Sequence, residues 1–351
     1  MPPSPRPSFH DLSAVKTSLV GVPGGREALT QLVRDLYRDR LGWDAALDRA
    51  PSAVSHLVGS TFCWTSTTIS GTREAPDGST KAVFRTTDGL GFEAVLIRHP
   101  NRATLCLSCQ VGCPLGCAFC ATGRQGLIRD LTVGEILDQA VWAVETLARE
   151  GRSLRNVVFM GMGEPLLALE VVGPALEALL DQRRFGIAPR FVSVSTSGIT
   201  PAIEPFWRAF PRVKLAVSLH AARQDLRDRL MPGCRPWPLD GLMEALDRYQ
   251  GATGHRLFFE YVMIAGVNDG QDERSELISL LAGRDAHVNL IPYNPSDGEA
   301  WRPSPRDVLD RFQRDLGAAG VVTTVRNSAG DAITAACGQL AGPELSLGPT
   351  P

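Results

Sequence analysis

The spacing of apolar positions changes twice along the first hundred residues. Between residues 26 and 58 apolar side chains recur at helical intervals (Leu29, Leu32, Val33, Leu36, Tyr37, then Ala53, Val54, Leu57), which predicts two or three short helices. From Phe62 to Ile97 the period falls to two. STTIS, KAVFRTT and GFEAVLI alternate, while GTREAPDGS and DGLG between them are turn-like, so an antiparallel hairpin or meander is expected. Beyond Cys120 the pattern becomes β/α. Thr132 and Glu135 form a capping box ahead of Ile136, Leu137, Ala140, Val141, Val144 and Leu147, an amphipathic helix. Short apolar runs follow at 155–160, 190–195, 213–219, 257–263, 287–291 and 321–325, most of them a helix length apart, as in a parallel sheet. GMGEP, TSG, HAAR and NP sit just after such runs. In parallel barrels the C-terminal strand ends carry the ligand and catalytic groups. The pattern therefore predicts an α/β fold: a partial, TIM-like β/α barrel with a small N-terminal helical module and β-hairpin. The expected division is an accessory module over 1–90, a core barrel over 91–342 and a disordered tail over 343–351, with the Pro-rich residues 1–7 a disordered start.

Composition narrows the class. Apolar residues make up 44% and charged residues 21% of the chain, which excludes wholesale disorder, collagen and coiled coil. No run of about 18 apolar residues exists, and MPPSPRPSFH lacks the apolar core of a signal peptide, so a cytoplasmic chain without a membrane partner is expected. The 36 basic and 38 acidic residues leave a net charge of −2, without the basic excess of a strong nucleic-acid footprint. Only Lys16, Lys81 and Lys214 are lysines; the other 33 of the 36 cations are Arg. Arg124, Arg129 and Arg326 are candidates to read phosphate, because the guanidinium fork fits phosphate oxygens.

Cysteine usage is the most informative signal. Cys106, Cys109, Cys113, Cys117 and Cys120 lie together in CLSCQVGCPLGCAFC, with Cys63, Cys234 and Cys337 elsewhere. In an intracellular chain such density points to metal or redox chemistry rather than structural disulfides. Cys113, Cys117 and Cys120 have C-x3-C-x2-C spacing, and three thiolates on one loop can hold three irons of a 4Fe-4S cube, leaving the fourth open for a small ligand. Adding Cys109 gives four thiolates, enough for a closed zinc site, so a zinc-bearing RNA-binding module without catalysis is the alternative.

Cys113, Cys117, Phe119 and Cys120 together resemble the C-x3-C-x-φ-C motif of radical S-adenosylmethionine enzymes. More narrowly, the chain resembles the RlmN/Cfr family, which methylates adenine carbons in ribosomal RNA. The matching strings are RATLCLSCQVGCPLGCAFCATGRQG, VVFMGMGEPLL, VSVSTSG, LAVSLHA, EYVMIAGVNDG, NLIPYNP and GDAITAACGQLAG, in family order from about residue 91 to residue 342. The resemblance implies a 4Fe-4S cluster on Cys113, Cys117 and Cys120. It implies S-adenosylmethionine held near Gly163, Glu164, Ser195, Ser218, Leu219, His220 and Asn294, with two molecules consumed per turnover.

The resemblance also assigns roles to two further cysteines. Cys337 becomes S-methylated and carries the new carbon; Cys106 later forms a transient disulfide with it. Carbon 2 of adenine is electrophilic and cannot attack an electrophilic methyl group directly, so a thiolate accepts the methyl first. A radical generated from a second S-adenosylmethionine then activates that S-methyl group for addition to the base. Loss of the base hydrogen and attack of Cys106 on the Cys337 sulfur release the product from a protein–RNA adduct. Glu93 is the candidate proton acceptor, a carboxylate in an apolar strand. The implied partners are 23S rRNA, with tRNA as a second candidate substrate, and an external electron donor such as flavodoxin or ferredoxin; a monomer is expected. MPGCRPWP at 231–238 departs from the family's usual loop, as does ALE after GEPLL. Action at carbon 8 or on another RNA is therefore the alternative within the family.

Overall fold

The computed structural model describes residues 6–295, 300–326 and 330–340. The tail over 343–351 and the first five residues lie outside the described residues. Arg6 and Pro7 are not a loose start: the Arg6 guanidinium donates to the Gly59 carbonyl at 2.6 Å, and the Cys63 N–H donates to the Pro7 carbonyl at 3.0 Å.

One ten-stranded sheet organises the chain. Its antiparallel part comprises β1 (Thr68–Glu74), β2 (Thr80–Arg85), β3 (Gly91–His99) and β4 (Arg102–Cys106). β5 (Gln110–Gly112) and β6 (Leu127–Asp130) form a separate antiparallel pair. The main sheet then continues in parallel from β4 through β7 (Asn156–Phe159), β8 (Val192–Thr196), β9 (Lys214–Ser218), β10 (Leu257–Met263), β11 (Ala286–Pro292) and β12 (Val322–Val325). Helices separate the parallel strands after β7, and β1 and β12 end the strand order at opposite edges. This is the partial β/α barrel that the hydrophobic pattern predicts.

Two elements differ from expectation. β4 is missing from the predicted strands, since RATLC is only five residues long and runs straight into the cysteine motif. GTREAPDGS is only partly a turn. Gly71–Glu74 continue β1 beyond a register shift between Ile69 and Gly71; they are exposed and carry no apolar residue, so no alternation marks this half of the strand. The capping box is present: Thr132 caps the helix Val133–Arg149, with both reciprocal hydrogen bonds formed.

The hairpin's two faces have different duties. Ala82, Phe84, Phe92 and Ala94 share one face, where Phe84 and Phe92 stack at 5.2 Å and Trp142 meets Phe84 edge-on from the helix behind. Lys81, Val83, Glu93 and Val95 share the other, and Val95 pairs with Cys106 of β4. Covering both faces makes β3 read as an almost continuous apolar run rather than a clean alternation.

The N-terminal helices carry their own apolar cluster, from Phe9 to Phe62, distinct from the barrel core. Polar groups join the two. Asp138 of the barrel helix, 2% exposed, accepts from the Ser66 N–H at 2.8 Å and the Thr67 hydroxyl at 2.8 Å, and lies 3.4 Å from His10 Nε2. Asp138→Ala strands the half-buried Ser66 and Thr67 donors and the buried His10, and is expected to cost about 2 kcal/mol in denaturant unfolding. Unchanged stability would mean that water satisfies them.

Candidate active site

The cavity lies at the C-terminal ends of the parallel strands, where barrel geometry places chemistry. Cys106 ends β4, and the chain then runs through the β5 strand into the cysteine loop. Cys113, Cys117 and Cys120 all line the cavity. Burial pushes the Cys113 thiol up to about 12 and raises Cys117 well above its ordinary range; neighbouring thiols add to both shifts. Such thiols do not ionise unaided, so they suit a site whose metal stabilises the thiolate. Among the described residues no three His, Cys, Asp or Glu side chains converge closely enough to hold one metal ion. Cys109 is buried and is not among the cavity residues. Three thiols spread around a cavity fit a cube with one open iron better than a four-cysteine zinc site.

The next strand ends supply polar groups. Gly163 follows β7 at φ +106°, and a Cβ there would stand 2.7 Å from the Gln110 side chain. The close approach it permits is thus first of all to Gln110, whose Oε1 accepts from the Glu164 N–H at 2.8 Å. Glu164 is buried, and burial raises its carboxyl above the usual range, while the Ser197 N–H at 2.7 Å works in the opposite sense. Ser195 and Ser218 face each other with oxygens 3.5 Å apart.

His220 adopts φ +59°, and its carbonyl accepts from Asn268 Nδ2 at 2.9 Å. Its Nδ1 accepts from the Val262 N–H at 3.0 Å, which leaves the proton of the neutral ring on Nε2. Burial, then the Arg227 charge, lower its pKa to about 3, so it stays a neutral donor. Phe119 of the cysteine motif meets the ring edge-on at 4.6 Å.

Gly163, Glu164, Ser195, Ser218, His220 and Asn294 all line the cavity with the three motif cysteines. Leu219 does not; it is fully buried and its N–H donates to the Glu260 carbonyl at 3.0 Å.

The C-terminal segment closes the cavity. Cys337 and Cys106 both line it, and both are free thiols, as are the other six cysteines. The Asn294 amide donates to the Cys337 carbonyl at 3.3 Å, the Ala121 N–H to the Gly338 carbonyl at 2.7 Å, and the Thr122 hydroxyl to the Leu340 carbonyl at 3.0 Å. The segment is thereby stitched onto the cysteine loop itself. Burial pushes the Cys106 thiol up to about 12, with the Cys337 sulfur adding to it and Arg326 opposing.

Arg326 is the main addition to the predicted set. Its guanidinium is held above its ordinary range by the Cys337 sulfur first, then by Glu260 and Cys106, and stands 3.5 Å from the Glu260 carboxylate. It belongs to the two-cysteine site rather than to a surface phosphate patch. Arg129 is likewise engaged, by Asp88 at 2.8 Å and Glu135 at 2.8 Å. Glu260 had a legible signal, a lone carboxylate inside the apolar strand LFFEYVM.

Glu93 is fully buried, not on a solvent face; it lies on the same face of β3 as the cavity-lining Val95 and Ile97 but does not itself line the cavity. Its surroundings are not purely apolar: the Lys81 ammonium lies 3.0 Å away.

Gly233 of the divergent loop also has a structural reason. A Cβ there would come within 2.5 Å of the Leu115 backbone, so this loop packs directly on the cysteine loop. Cys234 beside it is buried, its sulfur 3.6 Å from the Ser197 carbonyl.

Residues 107–281 match the radical SAM superfamily, and the site's three motif cysteines fall inside that span. The protein is a radical S-adenosylmethionine enzyme with the 4Fe-4S cluster and S-adenosylmethionine that the class implies. It is 41% identical to a probable dual-specificity RNA methyltransferase RlmN of Parafrankia sp. (strain EAN1pec), over 96% of this chain and 92% of that one. Identity to the corresponding Corynebacterium efficiens protein is 40%, over 99% and 95%. A crystal structure of a radical SAM methyltransferase from Sphaerobacter thermophilus superposes with a TM-score of 0.92 at 40% identity, covering 95% of this chain and 99% of that one. The chain belongs to the RlmN family of radical SAM methyltransferases. Among the described residues no helix is long and apolar enough to cross a membrane.

Proposed function

We propose that the protein methylates carbon 2 of an adenine in 23S rRNA, and in tRNA as well, through an S-methyl group on Cys337 and a transient protein–RNA adduct. The observation that carries this reading is the shared cavity: Cys106 and Cys337, which cysteine-ligated cluster chemistry alone does not require, line the same space as Cys113, Cys117 and Cys120. Bound there, the cluster and S-adenosylmethionine would supply the methyl group and the reductive radical chemistry, two S-adenosylmethionine molecules per turnover.

The chain's own residues do the rest. Cys113, Cys117 and Cys120 hold the cluster. Glu164, Ser195, Ser218, His220 and Asn294, with the backbone around Gly163 and Leu219, hold S-adenosylmethionine, His220 as a neutral donor. Arg326 lines the cavity with Cys337 and Cys106 and sets its cation beside the sulfur that accepts the methyl group. Cys106, buried and protonated at rest, keeps out of the first step and attacks the Cys337 sulfur only once the base is attached. Glu93 accepts the proton leaving the base carbon. The helical module within residues 1–90 grips the RNA, and flipping the target base into the cavity brings it to Cys337. A flavodoxin or ferredoxin delivers the electron. The protein works as a monomer in the cytoplasm.

Mass spectrometry of ribosomal and transfer RNA from a deletion strain tests the substrate. One methyladenosine, 2-methyladenosine, should be missing from both pools. Loss of an 8-methyl species instead would move the reaction to the other ring carbon, and intact pools would remove the RNA assignment.

A further inference from the structure

Lys81 is one of three lysines in a chain that otherwise uses Arg, and it is 3% exposed. A buried ammonium is costly unless paired. It has two partners. One is the fully buried Glu93 carboxylate, 3.0 Å from Nζ across the β2–β3 pair. The other is the Thr334 carbonyl at 3.2 Å, three residues before Cys337. The same hairpin holds that segment a second time, where the Gly330 N–H donates to the Asp77 carboxylate at 2.8 Å. Lys81 and Glu93 also share the sheet face of Val95, and Val95 lines the cavity beside its paired neighbour Cys106.

We propose that Lys81 is a positioning residue for product release: its ammonium fixes the Glu93 carboxylate on the strand face it shares with the cavity-lining Val95 and ties it, through Thr334, to the segment that carries Cys337. The inference rests on the adduct reading above. The ammonium 3.0 Å from the carboxylate sets where its oxygens stand, so losing Lys81 leaves the proton acceptor out of place. Because the same ammonium holds the Cys337 segment, base and adduct are kept in one register. In the step itself the proton leaves the base carbon for a Glu93 oxygen, and its bonding pair stays with the ring. Lys81 remains protonated throughout and touches neither substrate nor cofactor.

The test separates methylation of Cys337 from release of the adduct. Wild type, Cys106→Ala, Glu93→Gln, Lys81→Gln and Lys81→Arg are reconstituted anaerobically with S-adenosylmethionine, reductant and RNA. The S-methyl group is read by peptide mass spectrometry, and the adduct by a nuclease-sensitive gel shift. Lys81→Gln should keep the S-methyl group yet release product about 100-fold more slowly, as Glu93→Gln does, and Lys81→Arg should recover most of the release rate. Release at the wild-type rate in Lys81→Gln overturns the proposal. So does loss of the S-methyl group in both Lys81 variants, which would make the residue a strut for the segment alone. Where Lys81→Gln does not fold, the double variant Lys81→Gln/Glu93→Gln buries no lone charge; it should fold and accumulate adduct, and normal release from it overturns the proposal. If Cys106→Ala itself forms no adduct, the underlying reading fails rather than the role of Lys81.

Discussion

Cys106→Ala protein is expected to accumulate joined to RNA through Cys337, and turnover stops once each molecule has reacted. Cys106 lies at the end of β4, facing the cavity that Cys337 closes from the C-terminal side. The substitution leaves the cluster cysteines, Arg326 and the ties that seat the Cys337 segment untouched. Methyl acceptance and addition to the base therefore proceed, and only the attack that cleaves the sulfur–carbon bond is missing. The conjugate should run as a shifted band that nuclease collapses, and Cys106→Ala/Cys337→Ala should lack it. Cys337→Ala alone removes the acceptor, so neither methylated protein nor adduct should form. A free Cys106→Ala protein with normal turnover would reduce Cys106 to a buried thiol next to the cysteine loop.

Substituting Cys113, Cys117 or Cys120 with alanine should abolish binding of iron and sulfide and every later step, while Cys109→Ala should retain a full complement of iron. The first three side chains line the cavity, and Cys109 does not. Anaerobic reconstitution followed by iron and sulfide analysis, with the visible absorbance of the cluster, decides this without an activity assay. Iron lost on Cys109→Ala alone would restore a four-cysteine site, and colourless protein with one zinc would bring back the non-catalytic alternative.

Much of the site was legible because the cysteine loop and the strand-end motifs are local in sequence, and a parallel barrel gathers strand ends at one rim by construction. GMGEP, VSVSTSG, LAVSLHA and NLIPYNP each follow a run of β-type residues, so their convergence follows from topology alone. What stayed hidden depends on long-range packing. Lys81 looks like a surface residue of an amphipathic strand until β2 and β3 are covered on both faces, and its pairing with Glu93 is invisible until then. Arg326 lies one residue beyond β12, and nothing nearby in sequence signals that it faces two cysteines. The second half of β1 and the whole of β4 escaped for different reasons: Gly71–Glu74 are exposed and carry no apolar residue, and β4 is too short to show a period. The need for Gly233 is likewise invisible in its own loop, because the clash that forbids a side chain comes from Leu115.

The central claim is that Cys337 carries the carbon that ends on the RNA. Peptide mass spectrometry of the anaerobically reconstituted protein, incubated with S-adenosylmethionine bearing a labelled methyl group, tests it most directly. The label should appear as a thioether methyl on Cys337 and pass from there to the RNA when unlabelled S-adenosylmethionine replaces the labelled donor. An unmodified Cys337 in protein that still labels RNA, or a label that stays on Cys337 while unlabelled methyl groups reach the RNA, would contradict the account.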